Sequence, residues 1–245
     1  MMKHIICFHL FNDYSGSPKV LAMVLRGLSG KGCRVDLVTS RRGGALDALE
    51  EMPGIKLHRY HYTFSNNAAL TMVRYVGIQI LTFFMAFRWL FAKNAVFYIN
   101  TILPIGPALA GRLMGKRVVY HYHENAFAKG LFYKFLAAMM QRIAHEIICV
   151  SAYQASFLKR KKHVTVVPNA LPPDFVAKLR PDAEAAFERK TVLMLSSLKE
   201  YKGTRQFIEL AERMPQYKFV LVINDTKENI EKYLKGKEIT PPKKL

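Results

Sequence analysis

The chain has 245 residues, of which 51% are hydrophobic, and a formal net charge of +19 from 37 Lys and Arg against 18 Asp and Glu. That length suits one large domain, or one domain plus part of another, and the apolar share supports a sizeable core and excludes a disordered chain. The charge favours anionic partners such as nucleotides, nucleic acid or an acidic membrane surface; most of it lies in residues 1–168, which hold 22 basic and 7 acidic side chains.

Short β-branched or aromatic runs alternate with helical stretches. His4–Leu10 reads as a strand, Ser17–Lys31 as a helix with Pro18 in its first turn, and Arg34–Thr39 as the second strand. A short helix is expected over Ala45–Met52 and a strand over Ile55–Tyr60. Ala69–Ala92 reads as a long helix. Its apolar run, Tyr75–Phe87, is too short for the roughly 20 residues of a spanning helix, so a buried or interfacial helix is expected, burial being favoured.

A strand at Ala95–Asn100, a helix at Pro107–Met114 and a strand at Arg117–His121 follow. Phe127–His145 reads as a helix with Leu131, Phe135, Met139 and Ile143 as its apolar stripe. Strands are expected at Glu146–Val150 and His163–Val167. This alternation predicts a parallel sheet with helices on both faces, binding ligands beyond the carboxyl ends of its strands.

From Pro168 to Lys190 the chain is rich in proline and then charged, which marks an interdomain connection. A second unit begins with a strand at Thr191–Ser196, a helix at Thr204–Arg213 and a strand at Lys218–Ile223. The tail, Asp225–Leu245, is rich in lysine. The expected division is residues 1–175, a linker at 176–190, and a partial second domain at 191–245.

Cys7, Cys33 and Cys149 form no C-x-x-C pair, and an odd count without a framework fits a reducing cytoplasm. The apolar run Ile5–Phe11 is short, contains His9 and is followed by no small-residue cleavage site, so it does not read as a signal peptide. The basic run Lys159-Arg160-Lys161-Lys162 reads as a solvated loop, although an acidic membrane surface could also use it.

Three segments can carry chemistry. The turn Asn12-Asp13-Tyr14-Ser15-Gly16-Ser17-Pro18 joins the first strand to a helix. Its glycine admits close approach of a ligand, and the helix start offers N–H groups to an anion. With Gly16 alone, it is not the dinucleotide fingerprint G-x-G-x-x-G. The segment His121-Tyr122-His123-Glu124-Asn125 ends a strand where such a sheet places its site, and His beside a carboxylate supplies donor, acceptor and proton shuttle. No cysteine or further carboxylate has metal-ligand spacing there. The turn Ser196-Ser197-Leu198-Lys199-Glu200-Tyr201-Lys202-Gly203 places lysine where it can neutralise a diphosphate. Each segment also reads as an ordinary turn or a hydrogen-bonded histidine pair.

Their order and spacing are more specific than any one of them. Together with Ile147-Ile148-Cys149-Val150-Ser151 and Val166-Val167-Pro168-Asn169-Ala170, they resemble family 4 of the glycosyltransferases, which have the GT-B fold. "VVPNAL" is similar to the family's "IPNGV" segment, and "SSLKEYKG" to its "GRL-x-x-x-KG" turn. The resemblance extends to about Ile223. It implies an α/β chain of GT-B type, with a complete N-terminal Rossmann-like domain and the first β-α-β part of a second.

It also implies an NDP-sugar donor bound as substrate, retention of configuration, no cofactor and no metal. Gly16 and Ser17 would border the donor diphosphate, and His123 would contact the donor sugar. Glu124 would orient hydroxyl groups. Lys202, with Ser197 and Gly203 in its turn, would stabilise the departing diphosphate. The implied acceptor is a saccharide or lipid-linked saccharide of a bacterial surface polymer. The implied location is cytoplasmic and peripheral at an acidic inner-membrane surface.

Two departures stand out. Ser197 replaces the arginine of the family turn, and the family's Glu-x7-Glu segment is absent, so a chain that stops within its second domain is expected. The alternatives are a non-catalytic remnant or scaffold and a sugar-nucleotide epimerase. A nucleic-acid partner is not expected, because helix-turn-helix, zinc and RNA-binding signatures are absent.

Overall fold

The computed structural model describes residues 3–41, 43–65, 67–160, 162–180, 183–198, 202–223 and 225–237. The chain divides into two units, Met1–Pro173 and Asp174–Leu245. In the first, β1 (His4–Phe8), β2 (Arg34–Ser40), β3 (Ile55–Tyr60), β4 (Ala95–Asn100), β5 (Arg117–Tyr122), β6 (Glu146–Cys149) and β7 (Val164–Val166) form one sheet in the order β3-β2-β1-β4-β5-β6-β7. Every pairing is parallel.

Alternation along the strands feeds two cores. Ile5 and Cys7 of β1 face one side, with Leu21, Ala22 and Leu25 of α1 (Gly16–Gly30). Ile6 and Phe8 face the other, where α2 (Ala68–Ala86), α3 (Ile105–Leu113) and α4 (Leu131–Ile143) pack. Strands buried on both faces explain the near-continuous apolar runs of the sequence. The strand order reverses between β1 and β4, and the crevice beyond their carboxyl ends is where such a sheet receives ligands.

Three local expectations change. The helix expected over Ala45–Met52 is only a single 3-10 turn, Asp47–Leu49. Asp47 spends its carboxylate on the Gly44 N–H, the Asn12 amide and Arg59, a local bonding pattern that competes with helix growth. The stripe assigned to α4 also shifts. Leu131 is 83% and Phe135 59% exposed, while Leu136, Ala137, Met140 and Ile143 are buried. A strict step of four gains about 40° per step on a helix of about 3.6 residues per turn, so it winds away from the core; the buried face mixes steps of three and four.

The long helix ends at Ala86 and passes into a 3-10 turn, Phe87–Trp89. Asn67 caps its start by accepting from the N–H groups of Ala69 and Leu70. Its inner side buries Tyr75, Ile78, Gln79, Thr82 and Ala86, while Val73, Val76, Ile80 and Phe84 face outward. The 22 residues Ala68–Trp89 are long and apolar enough to cross a membrane by length and composition, yet the inner side belongs to the core.

In the second unit, β8 (Thr191–Ser196) and β9 (Lys218–Ile223) pair in parallel around α8 (Thr204–Arg213). Ile208, Ala211 and Phe219 are buried between them. Three further helices carry the rest: α6 (Pro173–Lys178), α7 (Ala183–Glu188) and α9 (Lys227–Gly236). A short α5 (Ala152–Ser156), capped by Ser151 through the Gln154 N–H, lies between β6 and β7.

Candidate functional site

The chain leaves β1 through His9 and Leu10 and turns at Asn12. Asn12 is fully buried and ties two loops together. Its backbone N–H donates to Ser40 Oγ at 2.9 Å, its side-chain N–H to Asp47 at 2.8 Å, and its Oδ1 accepts from the Leu46 N–H at 3.1 Å. Gly44 lies against this turn so closely that a Cβ there would stand 2.6 Å from the Asp13 backbone. Asp13 Oδ1 then accepts from the Ser15 N–H, and α1 begins at Gly16 with neither a side-chain cap nor an acidic residue in its first turn. A Cβ at Gly16 would meet nothing within 4 Å. Open space over an uncapped helix start suits an anion.

β4 ends at Asn100, also fully buried. Its Nδ2 donates to His9 Nδ1 at 3.1 Å and lies 3.5 Å from the Ser17 carbonyl, while its Oδ1 accepts from His123 Nε2 at 3.0 Å. One amide therefore links β1, the start of α1, and the residue after β5. The His123 ring lies 4.1 Å from that of His121, whose Nδ1 is 2.7 Å from the Tyr98 hydroxyl. Among the described residues His9 Nε2 and His121 Nε2 are buried without a protein partner. Thr101 holds φ at 71°, a rare conformation for a β-branched residue and of the kind found where a site is held under strain. The backbone bond from the Thr101 N–H to the His121 carbonyl, 2.9 Å, keeps it there.

Burial sets the protonation of this cluster. It pushes His9 and His121 down to about 4. It pushes His123 down to about 3, with repulsion from His121 and His9 adding to the effect. All three imidazoles are neutral at pH 7, so they act as hydrogen-bonding groups rather than as cations. Burial pushes the Glu124 carboxyl up, against the opposing pull of backbone N–H groups and Lys129. Glu124 Oε2 accepts from the Ile102 N–H at 3.3 Å, and its carbonyl accepts from Gln154.

A pH dependence follows. The folded histidine values lie below the unfolded value of 6.5, so between about 4 and 6.5 the unfolded chain binds protons that the folded chain refuses, and stability falls as pH drops through that window. Each such imidazole contributes at most about 1.4 kcal/mol per pH unit, and the raised carboxyl of Glu124 opposes them. Thermal unfolding is expected to be flat between about pH 7 and 8, below the range where the buried Cys7 thiol and tyrosine hydroxyls titrate in the unfolded chain, and to fall steadily from about pH 6.5 towards 4; a midpoint independent of pH over that lower range would show that the imidazoles are not held neutral.

The first unit thus brings Gly16, Ser17 and His123 together through Asn100, with Glu124 beside them at the Ile102 backbone. In the second unit Ser197, Lys202 and Gly203 lie in the connection from β8 to α8. Gly203 caps α8 at φ 79°, in the left-handed region that favours glycine. Lys199, Glu200 and Tyr201 of that turn lie outside the described residues, as do Lys161 of the basic run and the tail from residue 238. Among the described residues no group of three His, Cys, Asp or Glu is disposed to hold a metal ion. Sequence reasoning overlooked His9 and Asn100. Their signal is position: each is a polar residue at or just past the carboxyl end of an apolar strand.

The family model of Glycosyltransferase Family 4 matches residues 14–175, a segment running from the turn before Gly16 past the end of β7. The chain belongs to this family. No curated protein matches the sequence significantly. Among solved structures, this family 4 chain is similar to HepE of Anabaena in complex with UDP and glucose, with a TM-score of 0.61 at 17% identity over 96% of this chain and 64% of that one. It is similar to sucrose-phosphate synthase of Thermosynechococcus elongatus, with a TM-score of 0.62 at 14% identity over 99% and 71%. It is also similar to UDP-N-acetylglucosamine 2-epimerase of Rickettsia bellii, with a TM-score of 0.57 at 13% identity over 95% and 64%. At these identities the likeness shows the fold, which is α/β and of GT-B type. The family 4 chain spans less than two-thirds of the length of HepE and of the epimerase.

Proposed function

We propose that this chain is a glycosyltransferase that moves a sugar from an NDP-sugar to a saccharide acceptor with retention of configuration. The observation that carries this reading is the Asn100 link, which holds neutral His123 beside the uncapped start of α1. The helix start offers N–H groups to the donor diphosphate at Gly16 and Ser17. His123, its Nε2–H committed to Asn100, presents the rest of its ring to the donor sugar without placing a positive charge there. Glu124, fixed on the Ile102 N–H, orients hydroxyl groups. When the bond from the anomeric carbon to the diphosphate breaks, the electron pair leaves with the diphosphate. In the second unit Lys202, in the turn that also holds Ser197 and Gly203, is the cation proposed to stabilise such a charge. No metal or cofactor is assigned a role.

The test is calorimetric titration with UDP and GDP, followed by sugar-nucleotide turnover. Binding of one nucleotide is expected, with turnover falling about 100-fold in Lys202→Ala. A chain that binds no nucleotide would be a remnant or scaffold, and interconversion of the sugar nucleotide without an acceptor would make it an epimerase.

The outward face of α2 favours a lipid-linked acceptor met at a membrane surface. Val73, Val76, Ile80, Phe84 and, beyond the helix, Phe91 are exposed, and Arg74, Arg88 and Lys93 flank them. An apolar face with basic flanks suits an interfacial helix on anionic lipid. Phe84→Ser combined with Phe91→Ser is expected to weaken cosedimentation with phosphatidylglycerol vesicles about tenfold; unchanged binding would remove the membrane from this reading.

A further inference from the structure

The sheet carries a second polar cluster at its opposite end, away from Asn100 and His123. Asp36, the third residue of β2, is 2% exposed, and both of its oxygens are taken. Oδ2 is 2.6 Å from His4 Nε2 at the start of β1, and Oδ1 is 2.6 Å from His58 Nε2 on β3. Burial alone would push the Asp36 carboxyl up, but the bonds from His58 and His4 outweigh it and hold the group below its ordinary value. Arg88 Nη1 donates to His58 Nδ1 at 3.0 Å, which leaves the His58 Nε2–H to donate to the carboxylate. The chain Arg88–His58–Asp36–His4 thus fixes one wall of an open cleft of about 680 Å³.

The rest of the cleft is lined by cations. Arg34, Lys56, Arg88 and Lys93 all border it. Asp36 supplies a single negative charge to set against them. Both of its oxygens accept from imidazole, and Oδ2 also pairs with Arg34 Nε at 3.6 Å. Lys56 and Lys93 have no ion pair or hydrogen bond among the described residues. Four cations therefore line a cleft that holds one carboxylate, and Arg34 alone pairs with it. Guanidinium and ammonium groups lining one cleft suit a compact oxyanion of high charge.

We propose that this cleft, at the amino ends of β1, β2 and β3, binds a phosphomonoester or diphosphate group and is separate from the donor site. Its position beside Trp89, one turn past the apolar face of α2, allows two sources, a soluble phosphorylated molecule or a phospholipid headgroup. Both present the same chemistry to Arg34, Lys56, Arg88 and Lys93.

The experiment uses the full chain saturated with UDP, so that the donor site does not report. Pyrophosphate is titrated by calorimetry, and phosphatidylcholine vesicles with and without phosphatidic acid are tested by cosedimentation. Lys56→Gln with Lys93→Gln is compared with Lys232→Gln with Lys235→Gln on α9, which removes the same charge elsewhere. Binding of pyrophosphate that weakens about tenfold in the first pair and not in the second supports a soluble ligand. The same contrast seen only with phosphatidic acid, and kept in a chain carrying Phe84→Ser and Phe91→Ser, supports a headgroup in the cleft, whereas a contrast lost in that chain belongs to the α2 face and overturns the proposal. Equal effects of the two pairs on both probes, or no binding of either probe, would overturn the proposal. Thermal unfolding of both pairs, all exposed lysines, is expected to match that of the parent chain.

Discussion

Asn100→Leu is expected to lower stability by about 3 kcal/mol and UDP affinity by more than tenfold. Leucine fills nearly the same volume, so the change is chemical rather than steric. It strips a partner from His9 Nδ1 and from His123 Nε2 and ends the contact with the Ser17 carbonyl. Each buried polar atom left without a partner costs about 1–3 kcal/mol. The cluster has little slack, because His9 Nε2 and His121 Nε2 already lack protein partners. The affinity loss has a separate origin. Without the amide, neither His123 nor the start of α1 is held in register with β4, and a displacement of about 1 Å is enough to degrade a site. Urea unfolding reads the first effect and calorimetry with UDP the second. A large stability loss with unchanged UDP affinity would make Asn100 a core residue only and would remove it from the site.

This prediction also marks what the sequence made legible. The central strands were readable because a parallel sheet buried on both faces demands unbroken apolar runs, and β4 falls where its run predicts; β3, β8 and β9 also fall at their expected bounds although each carries exposed residues. The turn at Gly16 and the His123-Glu124 strand end were readable for a related reason, since topology fixes where such a sheet presents polar residues. The link between them was not readable. Nothing local at Asn100 indicates that its amide will find His9, 91 residues earlier, and His123, 23 residues later; register between strands decides that. The outward apolar face of α2 was hidden for the opposite reason. A helix apolar on all sides has no stripe to assign, so its inner and outer faces emerge only once Gln79 is anchored to α3. The error on α4 is of the same kind, because Leu131 and Phe135 are as apolar as Leu136 and Met140 and only packing separates them.

That anchor gives the second large effect. Gly106, in the first turn of α3, donates its N–H to Gln79 Oε1 at 2.9 Å, and a Cβ in its place would stand 2.1 Å from the Gln79 carbonyl oxygen and 2.8 Å from its carbonyl carbon. These are backbone atoms of a packed helix and cannot rotate aside, so Gly106→Ala must push α2 and α3 apart. A cost of about 3 kcal/mol is expected. Gly111→Ala is the control. Its added methyl would lie 2.7 Å from Phe97 Cδ1, a side-chain rather than a backbone atom, and a smaller cost of about 1–2 kcal/mol is expected. The displacement at Gly106 also reaches the site, since α3 follows directly on Thr101 and Ile102, whose backbone N–H groups bond to the His121 carbonyl and to Glu124. Gly106→Ala should therefore weaken UDP binding, while Gly111→Ala should leave it intact. If urea unfolding shows equal costs for the two substitutions, the close approach of the two helix backbones is not what the glycine provides. If the costs differ as expected and UDP affinity is unchanged in both, the loop after β4 is held by β5 alone, and the role assigned to Glu124 at the Ile102 backbone fails with it.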